Sequence, residues 1–155
     1  MQDVLRDIGF SGLAVTDSLD DATRKALAIL GLHDAGDMAR LHSQLVQIKR
    51  RQALILKNQK KLLLSRKLGK LAFAVLTEEE AEFAAMPQKK ALTQLAENQT
   101  LVIQLKTGVK YQVRVVATNS EKRCKKYLFI INKGEFSTTA TLQGCLTADG
   151  RFVVD

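Results

Sequence analysis

The side chains best suited to metal binding or nucleophilic catalysis are few in this sequence and far apart. They are His33, His42, Cys124 and Cys145. No two of them have zinc-finger spacing, and the chain has no GxSxG motif that would present a serine nucleophile. Phosphate-binding loops of the GxxxxGK[ST] or GxGxxG type are also absent from the sequence. We therefore expect no metal, no cofactor and no enzymatic activity.

An acidic cluster, TEEEAE at 77–82, could in principle supply carboxylates for acid–base chemistry or for Mg²⁺. The cluster also fits the start of a helix. Thr77 and Glu80 have capping-box spacing, and the glutamates between them suit a first turn, where the helix dipole favours negative charge. Because a helix start explains the whole cluster, we assign it no catalytic role.

Basic residues are the distinctive chemical feature of the chain, which has a net charge of +8. They concentrate in two segments: residues 38–76 have ten basic and no acidic residues, and residues 98–134 have eight basic residues and one acidic residue. Such segments favour an anionic partner, because each lysine or arginine placed on a phosphate releases condensed counterions. The alternative is that the acidic segments neutralise this charge within the folded chain.

Helix signals fill the first two thirds of the chain. Short helices are predicted at 2–9 and at 18–31, where a serine can cap the start and a glycine the end. Two more are predicted at 78–86 and 87–98, on either side of the Met-Pro step that ends the first of them.

The longest predicted helix runs from residue 38 to about residue 75, and a heptad pattern of mainly apolar residues marks one of its sides. The members of this seam are Leu41, Leu45, Ile48, Gln52, Ile55, Gln59 and Leu62. A helix of roughly 37 residues would be about 55 Å long. Because that is long for a chain of 155 residues, we predict a homo-oligomer formed through the seam. The alternative is that the seam packs on the chain's own helices.

After residue 99 the apolar residues follow a period of two, which is typical of strands. Five antiparallel strands are predicted up to residue 155, with tight turns at 107–108 and 133–134. The predicted fold class is therefore α+β, with a helical region at 1–97 and a small five-stranded sheet or barrel at 98–155.

The predicted long helix and the β module both display basic residues that could follow a phosphate backbone. In the β module, Lys106, Lys110 and Arg114 share one face because their positions are all even, and a basic loop follows at 122–126. The candidate nucleic-acid contacts are Lys57, Lys60, Lys61, Lys67, Lys106, Lys110, Arg114, Lys122, Arg123, Lys125 and Lys126. Tyr127 is the one aromatic residue expected beside this surface, so duplex contacts through phosphates are favoured over base stacking.

Two other functions are compatible with the same features. The long helix could bind a partner helix in a protein–protein adaptor or an assembly factor, with its basic residues on an acidic protein surface. The basic and partly apolar stretch 62–76 could instead lie on an anionic membrane surface, although it is too short and too charged to span a bilayer.

The cysteines and the N-terminus bear on the compartment. Two widely separated cysteines suit free thiols better than a disulfide scaffold, although one bridge is possible if their strands face each other. The N-terminal residues lack the apolar run of a signal peptide. A cytoplasmic location is therefore expected.

Overall fold

The computed structural model describes residues 1–15, 19–33, 36–58 and 66–154. The helices are α1 (Gln2–Asp7), α2 (Asp21–Ile29), α3 (Met38–Lys57), α4 (Gly69–Val75), α5 (Glu78–Phe83) and α6 (Ala85–Gln94), with a 3-10 helix (Arg66–Leu68) just before α4. The strands are β1 (Thr100–Gln104), β2 (Lys110–Asn119), β3 (Cys124–Lys133), β4 (Phe136–Leu146) and β5 (Phe152–Val154). The predicted α+β class, with helices before strands, is confirmed.

The strands form one antiparallel sheet in sequence order, from β1 to β5. The sheet is open, so of the two predicted forms the sheet is correct and the barrel is not. Burial alternates along each strand: on β2, Tyr111, Val113 and Val115 are fully buried, whereas Lys110 and Arg114 are exposed. The buried face packs on α4, α5 and α6 and forms the larger of two apolar cores. The core therefore crosses the predicted boundary at 97/98, although the change from helix to strand does fall there.

The single long helix predicted at 38–75 was wrong. The helix α3 ends at Lys57, and a separate helix begins at Gly69. Gly69 has a φ of +77°, which a continuous right-handed helix cannot contain. Residues 59–65, which the prediction placed in the middle of the helix, lie outside the described residues.

The predicted heptad seam of α3 faces the chain's own interior. Leu41, Leu45 and Ile55 are at most 2 % exposed, and Ile48 is half-buried. The first two pack in a core shared by α1, α2, α3 and α4. Gln59 and Leu62 lie outside the described residues. These buried side chains are not free to bind a second copy in this fold, so homo-oligomerisation stays a prediction and requires a different surface.

Gln52, predicted to restrict the register of a helix pair, instead connects α3 to its neighbours. Its side-chain amide is buried and donates hydrogen bonds to the carbonyl oxygens of Ile8, at 3.1 Å, and Lys70, at 2.7 Å. The side-chain amide of this polar seam residue therefore finds its hydrogen-bond acceptors within one chain, at the C-terminal end of α1 and the start of α4.

Cys124 and Cys145 lie directly opposite each other on β3 and β4, with a Cα–Cα distance of 4.0 Å, and form a disulfide. The prediction of free thiols was wrong, and the alternative of a bridge between facing strands is correct. The pairing depends on the register of the β3–β4 hairpin, which the spacing of the cysteines in the sequence does not reveal.

Candidate nucleic-acid interface

The face of the sheet that points away from α4, α5 and α6 is the candidate site, and we call it the outer face. Its residues alternate along each strand with the buried ones. The outer face comprises Thr100, Val102, Gln104, Lys110, Gln112, Arg114, Lys126, Leu128, Ile130, Asn132, Ser137, Thr139, Thr141 and Gln143. None of these residues is acidic, so the cations among them have no counter-charge on the same face.

Three cations stand on the outer face itself. Arg114 on β2 is directly opposite Leu128 on β3, and Lys126 is two residues from Leu128. Diagonal neighbours of this kind are about 7–8 Å apart in a sheet. Lys110 lies on the same strand as Arg114, about 13 Å away at the usual rise per residue. The three side chains therefore form a row along the middle of the sheet.

The turns at the two ends of this row add further positive charge. Lys106 is exposed in the turn between β1 and β2, and Lys122 and Arg123 are exposed in the turn between β2 and β3. In the second turn the Lys122 backbone N–H donates to the Asn119 side-chain oxygen at 3.0 Å, and Arg123 has a φ of +51°. The positive charge thus extends over the length of β2.

These six residues, which we call the outer cations, have no carboxylate partner within 4.0 Å among the described residues. The ion pairs that the structure describes are Arg6–Asp3, Arg24–Asp21, Lys49–Asp7, Lys133–Glu80 and Arg151–Asp149. All six outer cations are exposed. The positive charge of the β module is therefore open to solvent in the described part of the chain, and the acidic segments do not neutralise it there.

Lys125 was predicted to bind nucleic acid, but the structure turns it to the other face of the sheet. Its Nζ donates hydrogen bonds to the carbonyl oxygens of Ala91 and Leu95, at the C-terminal end of α6. The Ala91 carbonyl also accepts a hydrogen bond from the Leu95 N–H, and the helix dipole favours a cation beside the carbonyls at this end of a helix. Lys125 therefore supports the fold and does not belong to the outer face.

Tyr127 was expected to be available for stacking, and that prediction was wrong. The residue is fully buried, and its hydroxyl donates to the Gln88 side-chain oxygen at 2.8 Å. Burial also raises the pKa of its hydroxyl. The outer face as defined above contains no aromatic ring, so it offers bases no stacking platform.

The cations predicted on the long helix are not brought together with the outer face. Lys57 is exposed at the end of α3, and Lys67 is exposed in the 3-10 helix. Lys60 and Lys61 lie outside the described residues. The described members of this group belong to helical elements and are not part of the outer face.

The prediction also missed polar side chains that flank the outer cations. Asn132 is directly opposite Lys110, and Gln143 is directly opposite Lys126. Amide groups in these positions can donate hydrogen bonds to phosphate oxygens beside each cation. The alternation of β3 and β4 was the available signal, since all four residues have the parity of the outer face.

The described residues were also searched for metal-binding clusters and for membrane-spanning helices. They contain no cluster of three histidine, cysteine, aspartate or glutamate side chains that could hold a metal ion. Among the described helices, none combines the length and the apolar character needed to cross a bilayer.

Comparisons with known proteins give no relative from which a function could be transferred to this site. No protein-family model matches the chain, and neither do curated proteins or solved structures.

Proposed function

We propose that the chain binds duplex nucleic acid, with the outer face and its two turns against the phosphate backbone. The observation that carries the proposal is the set of six exposed outer cations that have no carboxylate partner among the described residues. The lack of aromatic rings on this face supports phosphate contacts over base stacking. The proposed role is that of an accessory or regulatory protein that binds without strong sequence preference.

Binding of this kind has a defined dependence on salt. Each phosphate contact on a duplex contributes about −0.9 to the slope of log K against log salt concentration, so six contacts would give a slope of about −5. An interface that reads base edges would keep more of its affinity at high salt.

Fluorescence anisotropy with a labelled duplex of random sequence, titrated at several salt concentrations, tests the proposal. The variant Lys110→Gln, Arg114→Gln, Lys126→Gln should bind more weakly, with a slope flatter by about three units. The matched control is Lys25→Gln, Lys89→Gln, Lys90→Gln, which removes the same charge from exposed positions on α2 and α6. Equal loss in both variants, or no binding by the unaltered protein, would contradict the proposed interface.

A protein-binding adaptor is the second candidate function, and a groove beside α3 favours it. The groove has a volume of about 470 Å³. Its lining residues are Leu30, Leu32, Gln44, Gln47, Ile48 and Arg51. Nearby on α3, Leu54 is 48 % exposed. A partner helix could place apolar side chains on such a surface.

The ultraviolet absorbance ratio at 260 and 280 nm, measured before any high-salt wash, separates the two functions. The chain has no tryptophan and two tyrosines, so small amounts of co-purified nucleic acid raise the ratio visibly. Nucleic-acid binding predicts a raised ratio that a high-salt wash removes. An adaptor that does not bind nucleic acid predicts a ratio unchanged by the wash.

A further inference from the structure

An uncharged row of four residues crosses the middle of the outer face. Cross-strand pairing places Val102 opposite Gln112, Gln112 opposite Ile130, and Ile130 opposite Thr139. Neighbouring strands are about 4.8 Å apart, so the row is about 14 Å long and perpendicular to the strands. We call these four residues the central row.

The outer cations lie on both sides of the central row. On β2, Arg114 is two residues after Gln112, and Lys110 is two residues before it. Lys126 and the turn between β2 and β3 continue on the Arg114 side, whereas Lys106 lies on the Lys110 side. The positive charge is therefore divided into two groups with an uncharged strip between them. Such a division fits two phosphate backbones better than one.

The separation of the two groups fits the minor groove of B-form DNA. Lys110 and Arg114 are about 13 Å apart along β2. The minor groove is about 6 Å wide, and a phosphate group of about 3 Å radius on each side places the opposing phosphorus atoms about 12 Å apart. The same sum for the major groove, which is about 12 Å wide, gives about 18 Å. The outer face can thus reach both backbones of one minor groove, with the central row along the groove.

The apolar side chains of the outer face lie in or beside the central row. Val102 is 49 % exposed, Ile130 is half-buried, and the half-buried Leu128 is two residues from Ile130 on β3. Phosphates offer such side chains no favourable contact, whereas the sugar rings that line the minor groove do. The 2′ carbon of deoxyribose carries only hydrogen, but ribose presents a 2′-hydroxyl in this groove. Against valine and isoleucine that hydroxyl would lose its hydrogen bonds to water without gaining an acceptor.

We propose that the duplex bound by the outer face is DNA and not RNA, held across its minor groove with the central row against the deoxyribose rings. This inference rests on the proposed function and specifies its ligand. The cations supply most of the affinity, and the apolar side chains of the central row supply the discrimination between the two sugars.

Fluorescence anisotropy with a DNA duplex and an RNA duplex of the same sequence tests the inference. The unaltered protein should bind the DNA duplex about tenfold more tightly than the RNA duplex. The variant Val102→Thr, Ile130→Thr keeps both side chains β-branched and uncharged, and its hydroxyls can pair with the 2′-hydroxyl. It should reduce the preference for DNA mainly by gaining affinity for RNA. The salt slope for DNA should stay the same because no cation is removed.

The matched control is Val153→Thr on β5, which makes the same change at a valine that is 52 % exposed. Val153 pairs with Cys145, which is six residues from Thr139 along β4, or about 20 Å. The control should therefore keep the full preference for DNA.

The possible failures of the two proposals can be told apart. Equal affinity of the unaltered protein for the two duplexes, a preference for RNA, or a preference for DNA that the central-row variant leaves unchanged would overturn this inference while the proposed function stands. Binding to neither duplex would refute the proposed function itself. A circular dichroism spectrum like that of the unaltered protein shows that the variant is folded, and if it is not, Val102→Thr alone replaces it.

Discussion

The two faces of the sheet use the same residue types in opposite ways. On the helix-covered face, the ammonium groups of Lys125 and Lys133 and the hydroxyl of Tyr127 all have hydrogen-bond partners within the chain. On the outer face, Arg114 and Lys126 are exposed and have no carboxylate partner among the described residues. The difference follows from strand alternation, because neighbouring residues point to opposite faces. We therefore expect changes on the covered face to alter the free energy of unfolding, and changes on the outer face to alter binding.

The largest effect on stability is expected for Lys133→Met. The Glu80 side chain is 3 % exposed, and its carboxylate accepts hydrogen bonds from Lys133 Nζ at 2.7 Å and from the Thr77 N–H at 2.8 Å. Removing the ammonium leaves a buried carboxylate without its charged partner. Since Lys133 itself is 27 % exposed, the expected loss is about 2–3 kcal/mol, below that of a fully buried pair. Urea unfolding measures it, with Lys126→Met as the control that should leave the free energy of unfolding unchanged.

The pH dependence of the stability of Lys133→Met distinguishes the loss of the ion pair from the loss of side-chain packing. Burial by itself would raise the pKa of the Glu80 carboxyl, but the hydrogen bonds from Lys133 and Thr77 outweigh it and hold that pKa below its ordinary value. A lowered pKa in the folded state means that the ionised carboxylate stabilises the protein above its ordinary pKa of 4.5, and that this stabilisation is lost as the pH falls through the folded-state pKa.

In Lys133→Met the hydrogen bonds from Thr77 and Thr107 still lower the pKa of Glu80, but the larger contribution of Lys133 is lost, and the pKa of Glu80 therefore rises above its value in the unaltered protein. The deficit in unfolding free energy should therefore be largest at neutral pH and should shrink on acidification. A deficit of the same size at all pH values would show that lost packing, and not the ion pair, is responsible.

A smaller loss is expected for Gly144→Ala on the covered face of β4. A Cβ atom there would lie 2.5 Å from Leu92 Cδ1 on α6 and 3.2 Å from Tyr127 Cε1. Leu92 must move within a packed core, which typically costs about 1–2 kcal/mol. Thermal unfolding checks this, and adding Leu92→Ala should make Gly144→Ala less harmful than it is alone. The outer-face control Gln143→Ala should unfold like the unaltered protein, and an equal loss there would remove the distinction between the faces.

Local signals in the sequence predicted much of the fold. The period of two identified the strands, and the capping box at Thr77 and Glu80 is present with both of its hydrogen bonds. The helix break at Gly69 was also a local signal, since glycine is the residue that best adopts a positive φ. The heptad pattern was read correctly as one apolar side of a helix. It could not show whether that side faces the same chain or another copy.

The residues that form the candidate site were harder to predict, because a shift of one residue in strand pairing decides which face each side chain occupies. The prediction extended a basic loop to residue 126, whereas β3 begins at Cys124. An irregularity between Val115 and Ala117 shifts the register of β2 against β3, and no composition signal marks it. A shift of one residue exchanges the faces of all following side chains. Lys110 and Arg114 were therefore assigned correctly to one face, whereas Lys106 lies in the turn before β2, and Lys125 and Tyr127 lie on the helix-covered face.

The smallest and most specific prediction compares two adjacent lysines. Lys125→Met removes hydrogen bonds to the end of α6 and should cost about 1 kcal/mol of unfolding free energy, with duplex affinity and its salt slope unchanged. Lys126→Met should leave the unfolding free energy unchanged and flatten the salt slope by about one unit. Both variants remove one positive charge from the same strand, so a general electrostatic effect would lower binding equally in the two. If instead only Lys126→Met weakens binding and only Lys125→Met lowers the unfolding free energy, the face to which each side chain points, and not the local charge density, defines the interface. The reverse pattern, with binding lost in Lys125→Met, would mean that the sheet presents its other face to the ligand.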